Sequence, residues 1–199
     1  RRDWLTPAEI GYRAAASALS DLAAVAAEPM ALLLSIGARA DEPDDTFTSL
    51  ADGVGDAASD AGALIVGGDL SRAESLIVDV CVIGRASAAV GRRGARPGDR
   101  LVVTGPLGGP LAALAAWLAG GTPSPEARAR FVRPAPRHAA ARFLEANRAR
   151  AMIDISDGLT SDLGHLLVAS GVGARVDVER IPVLPLARAA AEAAGEAAW

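Results

Sequence analysis

Apolar and polar positions along the 199-residue chain change period several times, and each change predicts an element. Residues 6–9, "TPAE", form a capping box, with Thr6 at the N-cap, Pro7 at the first helical position and Glu9 reaching back. An Ala-rich helix is expected from there to about Ala27. "ALLLSI", residues 31–36, reads as a buried strand. "DDTFTSLADGVGDAASDAG" reads as a helix with Phe47, Leu50, Val54, Ala57 and Ala61 along one face, stopped by Gly62. "ALIV" is then a strand running into "GGD", and "SLIVDVCVIGRA" is a second strand long enough to cross a sheet.

At residues 92–100, "RRGARPGDR", glycine, proline and charge interrupt the pattern and mark a candidate domain boundary. The second half restarts with a strand, "LVVTG", a glycine turn and the helix "PLAALAAWLAGG". Helical segments around Arg128 and Arg142 follow, then the strand "AMIDI", the helix "LTSDLGHLLVAS", the strand "GARVDV" and a final Ala-rich helix. Strands alternate with helices, so the class is mixed α and β. The chain shows no internal repeat or low-complexity linker.

Composition narrows the partners. The chain is 51% hydrophobic and 22% charged with a net charge of −4, which suits one large or two small soluble domains. Both signs are spread along it, so no basic footprint points to nucleic acid or to an anionic membrane, and a small molecule is the expected partner. The most apolar window, "LAAVAAEPMALLLSIGA", contains Glu28 and Pro29 and falls short of a membrane span. "RRDWLTPAEI" lacks the apolar core of a signal peptide, so a cytoplasmic protein is expected. Cys81 is the only cysteine and reads as a buried small hydrophobe, which leaves no disulfide framework or thiolate metal site. All 20 basic residues are arginine. That excludes a P-loop lysine, a protein-kinase strand lysine and Schiff-base chemistry within this chain. There is no "HExxH" or "GxSxG", and His138 and His165 are too far apart in sequence to suggest zinc.

The acids carry the remaining chemistry. In "AMIDISDGLTSDLGHLL", residues 151–167, Asp154 is expected at the end of a buried strand and Asp157 at the N-terminus of the next helix. An N-cap role accounts for Asp157 alone. Asp154 is harder to excuse, because a charge in an apolar strand is costly unless paired or metal-bound. Asp162 is expected on the solvent side of its helix. "GGD" ends in Asp69, which is either a turn-stabilising residue or a ligand beside glycines that let a backbone approach closely. Asp21 lies in the otherwise uncharged run "AAASALSDLAAVAA", either solvated or aimed at a site. Separated acids at the ends of apolar elements suit a hard cation such as Mg²⁺, and with glycines and arginines they fit metal-assisted phosphoryl transfer.

Four stretches in order, "ALSDLAAVAAEP", "LIVGGDLSRA", "RRGARPGDRLVVTGPLGG" and "AMIDISDGLTSDLGHLLVASGVGARVDVERIP", resemble the thiamine-monophosphate kinases of the aminoimidazole-ribonucleotide-synthetase-like superfamily. The resemblance covers nearly the whole chain. It implies an α+β, two-domain fold: a dimerising N-terminal domain of sheet plus helices over residues 1–94, and a C-terminal α/β domain over 95–199. It implies transfer of the ATP γ-phosphate to thiamine monophosphate, giving thiamine diphosphate, with several Mg²⁺ ions and no phosphoenzyme. Family metal ligands match Asp21, Asp69, Asp154 and Asp157, and ATP contacts match Gly68, Asp69, Ser156 and Arg92. A homodimer through paired N-terminal sheets is implied as well.

The chain departs from the family pattern at several points. It has "GGDLS" where the family writes "GGDTT", "ALSD" for "NLSD", and Ala26 at a customary glycine. An aromatic expected to stack on adenine is replaced by Asp60 or Ala61. The family's "GDDA" motif and a substrate-contacting histidine belong before Arg1, and "GGEDYEL" after Trp199, so the chain is expected to be the middle of a kinase. Two other readings stay open: another ATP-using member of the superfamily, and a non-catalytic nucleotide-binding or dimerising relic.

Overall fold

The capping box at Thr6 forms. Its Oγ1 accepts from the Glu9 amide at 3.3 Å, and a Glu9 carboxylate oxygen accepts from the Thr6 amide at 2.9 Å. The structure, a computed structural model, describes residues 1–193 and 195. Along the chain run α1 (Pro7–Ala24), β1 (Glu28–Ala38), α2 (Asp44–Ala61), β2 (Leu64–Arg72), β3 (Ile77–Arg85), α3 (Gly109–Leu118), α4 (Pro125–Val132), α5 (His138–Ala146), α6 (Leu159–Ser170) and α7 (Pro185–Ala193). They form two compact units. One comprises Arg1–Asp99 with Ala135–Gly173, the other Arg100–Pro134 with Ala174–Trp199.

The first unit is built on a three-stranded sheet of order β2-β1-β3, with β1 parallel to β2 and antiparallel to β3. β1 alternates, so Leu32, Leu34, Ile36 and Ala38 turn inward. They meet Tyr12, Ala15, Ala16 and Leu19 of α1 and Leu50, Val54, Ala57 and Ala58 of α2, with Val78, Val80 and Val82 of β3 packed alongside. Leu19, Leu32, Leu50 and Val54 are completely enclosed. Each contributes roughly 1.5–3 kcal/mol by leaving water. The two helices touch backbone to backbone: a methyl added at Gly53 would lie 2.9 Å from the Tyr12 amide nitrogen. That closeness explains why the crossing is lined with glycine and alanine rather than leucine. Gly62 caps α2 in the left-handed conformation, φ +73°, as its position after the apolar stripe predicts.

The opposite face of the sheet is open. Leu33, Leu64, Val66, Leu70, Ile77 and Ile83 are all exposed there or along its edges. Cys81, expected in the core, is exposed on this side. The alternation of β3 gives the inward positions to Val78, Val80 and Val82, and register sets Cys81 opposite Leu33. "GGD" is a second correction. It does not form a tight turn but continues β2, because Gly68 and Asp69 pair in register with Leu34 and Ser35.

In the second unit, Ala112 and Ala113 of α3 and Ala127 of α4 form a small core with Trp117, Phe131, Leu186 and Ala190 around it. Trp117 and Phe131 meet edge to face, with ring centroids 5.1 Å apart. Leu107 and Val183 make an isolated parallel bridge. The strands expected at "LVVTG", "AMIDI" and "GARVDV" are not assigned as strands. A strand exists only where a neighbour completes its ladder, and apolar sequence alone does not supply one. The helices expected over 110–121 and 159–170 form as α3 and α6. Residues 194 and 196–199 of the last expected helix lie outside the described residues.

Candidate functional site

The loop between Asp154 and α6 is held from within the helix. Asp162, one turn into α6, is only 3% exposed. Its Oδ2 accepts from the backbone amides of Ser156 at 2.9 Å, Asp157 at 3.1 Å and Gly158 at 3.1 Å. Two expectations are thereby corrected. Asp162 does not face solvent, because its carboxylate is drawn inward by three amide donors. Asp157 is not the N-cap; Gly158 is, at φ +113°, a conformation open in practice only to glycine, and it makes no side-chain cap. The side chains of Ser156 and Asp157 are left exposed on the outside of the loop.

Asp154 is partly buried just before this loop. Burial pushes its carboxyl above the usual carboxylate range; Asp21 raises it further, as does Asp162 more weakly, while Arg92 opposes them. Asp21 of α1, Asp154 and Arg92 thus share one electrostatic neighbourhood. Arg92 sits on a tethered segment: Ser170 Oγ donates to its carbonyl at 2.8 Å, and the Met152 amide donates to the Gly91 carbonyl at 3.0 Å. The Ala95 amide donates back to Ser170 Oγ at 3.3 Å. Arg150 pairs with Asp99, whose other oxygen accepts from the Arg96 amide at 2.9 Å. Residues 91–99 are therefore strapped to residues 150–152 and to the end of α6.

Asp69 lies on exposed β2, opposite Ser35 in β1, which in turn pairs with Asp79 of β3. Its carboxylate accepts from Ser71 Oγ at 2.9 Å. Of the four expected metal ligands, Asp21 lies close enough to Asp154 to raise its carboxyl, Asp69 sits on β2 and Asp157 in the loop before α6. Among the described residues, no three acidic, histidine or cysteine side chains are close enough to hold a metal ion. The donors present still suit a hard divalent cation. They are oxygens only, and a cation would relieve both the burial and the Asp21 repulsion that raise Asp154. Asp60, one of the residues at the expected aromatic position, accepts from the Tyr12 hydroxyl at 2.8 Å.

Sequence reasoning missed Asp162 and Ser170. The signal for Asp162 was an acid four residues after the glycine in "DGLTSD", on a helix whose cap residue has no side chain to offer its amides. Ser170 carried no comparable signal, because its partners lie 75 and 78 residues away in sequence.

Profiles of two domains match the chain: "AIR synthase related protein, N-terminal domain" over residues 2–86 and "AIR synthase related protein, C-terminal domain" over residues 96–196. The chain belongs to the AIR synthase related family. The family's α+β, two-domain fold is the fold of this chain. Among its relatives, the thiamine-monophosphate kinase of Mycobacterium tuberculosis H37Rv is 39% identical over 180 residues, covering 89% of this chain and 54% of its own. That of Pyrococcus horikoshii is 36% identical over 181 residues, covering 91% and 58%. AaThiL complexed with AMPPCP and TMP superimposes with a TM-score of 0.90 at 30% identity, covering 96% of this chain and 63% of that one. The chain spans a little over half the length of the two curated relatives. No helix among the described residues is long and apolar enough to cross a membrane.

Proposed function

We propose that the chain supplies the nucleotide and metal side of a thiamine-monophosphate kinase, transferring the ATP γ-phosphate to thiamine monophosphate to give thiamine diphosphate. The observation that carries this reading is the partly buried Asp154, whose carboxyl feels both Asp21 and Arg92, just before exposed Ser156 and Asp157 in sequence. It is supported by relatives 36 to 39% identical that are named for this activity. In the transfer, a phosphate oxygen of thiamine monophosphate forms a bond to the γ-phosphorus as the bond to the β-phosphate oxygen breaks and ADP leaves. Bound Mg²⁺ would neutralise charge on the phosphates as that bond order shifts. Asp21 and Asp154 would hold the cation, and Asp69 and Asp157 would supply further oxygens. Arg92 and the Ser156 hydroxyl would orient phosphate oxygens, and Gly68 would contact the nucleotide through its backbone on β2.

The open sheet face is the homodimer surface in this reading, since Leu33, Val66, Ile77 and Ile83 form an apolar face that a second copy would cover. Leu33→Glu should then turn a dimer into a monomer in light scattering; a monomeric wild-type chain removes the assignment. The domain division falls at residues 94 and 95, supported by the interval between the two profile matches, which end at 86 and resume at 96. A cytoplasmic location accords with a substrate pair of soluble phosphate esters. The activity itself is tested by following ADP and thiamine diphosphate formation from ATP and thiamine monophosphate. Product with another phosphate acceptor and none with thiamine monophosphate would move the chain to a different activity of the same family.

A further inference from the structure

We propose that Asp162 is the positioning residue of this site, a buried carboxylate that sets the Ser156–Gly158 loop by gathering its three amides on one oxygen. The proposal rests on the nucleotide-site reading above. A carboxylate that is 3% exposed is costly to bury unless its charge is compensated. Here three backbone N–H groups at 2.9–3.1 Å compensate it, and all three come from the residues between Asp154 and the first turn of α6.

The arrangement has a chemical consequence. Free amides ahead of a helix are a ready anion site, and in a glycine-rich phosphate loop they hold the phosphates. In this chain those amides are already taken by Asp162, so phosphate must be met by side chains and cation rather than by the loop backbone. The loop is a platform that turns Ser156 and Asp157 outward while Asp154 stays partly buried beside Asp21. Asp162 acts through the geometry of the three residues it binds.

The test uses the full chain as wild type, D162N, D162A and L166A. Leu166 is buried on the same helix and its hydrocarbon side chain cannot accept a hydrogen bond from the loop amides, so L166A serves as a control for lost stability. Each protein is titrated with Mg²⁺ in the presence of a non-hydrolysable ATP analogue, and amide exchange of residues 155–158 is followed without ligand. D162A should raise the Mg²⁺ midpoint by about 10- to 100-fold, the usual effect of removing a partner that orients ligands. D162N, which keeps an acceptor oxygen without charge, should fall between D162A and wild type. The amides of residues 156–158 should exchange faster in both Asp162 variants than in L166A at equal melting temperature. If D162A does not fold, D162N is read by the same criteria. Equal midpoints for the Asp162 variants and L166A overturn the positioning role, because they reduce it to stability. Wild-type binding left intact by D162A overturns that role alone. Absence of Mg²⁺-dependent binding by the wild-type chain overturns the site reading, and this proposal with it.

Discussion

Two adjacent glycines in β2 should respond in opposite ways to the same methyl group. Register slips at Leu32/Leu33, leaving Val66 as the extra residue of a bulge, after which Gly67 pairs with Leu33 and Gly68 with Leu34. A methyl at Gly67 would sit 3.4 Å from the Leu33 Cδ2, an ordinary contact with a side chain that can move. A methyl at Gly68 would lie 2.8 Å from the Leu34 carbonyl carbon and 3.1 Å from its nitrogen, and closer still to the carbonyl oxygen. These are backbone atoms in the central strand, and the carbonyl oxygen sets the demand, so β1 and β2 must separate by more than about 1 Å to restore contact distance. Overpacking of this kind costs about 1–3 kcal/mol. Gly67→Ala should gain up to about 1 kcal/mol from a less flexible unfolded chain. For a chain of this length, 1 kcal/mol is about 2–4 °C in melting temperature. Calorimetric melting without ligand should therefore place Gly68→Ala roughly 2–12 °C below wild type, and Gly67→Ala at or up to about 4 °C above it. Because Asp69 follows directly, Gly68→Ala should also weaken Mg²⁺-dependent nucleotide binding, by as much as about 100-fold if the carboxylate is displaced by 1 Å. A Gly68→Ala protein that melts with wild type, or a Gly67→Ala protein that falls as far, would refute the close-approach argument.

Three further perturbations test other parts of the fold and site. Ala26 holds the left-handed conformation at φ +58° between α1 and β1, so Ala26→Gly should stabilise the chain by about 0.5–1 kcal/mol; an unchanged or lower denaturation midpoint would contradict that. Asp154 is raised by burial and by Asp21, so its charged form costs stability as pH rises through its folded pKa, and the cost is absent below the ordinary value of 3.8. Asp154→Asn should accordingly raise the melting temperature near neutral pH in the absence of metal while abolishing stabilisation by added Mg²⁺; a drop in both would point to a purely structural carboxylate. His138 is lowered from 6.5 by burial and then by Arg142, so its contribution is present above pH 6.5 and lost as pH falls through the lower folded value. Melting temperature should decline over that acid window in wild type, and the His138→Gln protein should show a shallower decline.

Local signals in the sequence were enough where an element is stabilised by its own residues. The capping box of α1 and the apolar stripe of α2 with its Gly62 stop formed where spacing and caps placed them, and α6 formed over 159–170 on its spacing although its cap is Gly158 and not Asp157. Features set by partners distant in the chain were not legible. Cys81 is exposed because of the pairing phase of β3 with β1, and "GGD" stays in a strand because Leu34 and Ser35 lie beside it. The segments around Leu101, Ile155 and Val176 have strand sequence, yet no ladder neighbour completes them. At the site, the acids were legible as costly charges near apolar segments, and Asp154 is indeed partly buried with its carboxyl raised by burial and by Asp21. The role of Asp162 was missed, because helical periodicity assigns a face but does not register that the preceding loop turns back over it.

The decisive measurement is calorimetric titration of a non-hydrolysable ATP analogue into the purified chain, with and without Mg²⁺, repeated after addition of thiamine monophosphate. A carboxylate site built on Asp21 and Asp154 should give heat of binding only with Mg²⁺, lost in Asp154→Asn and retained in Leu166→Ala. Binding of equal strength without the metal, or binding indifferent to Asp154, would contradict the assignment of these acids to nucleotide-bound Mg²⁺.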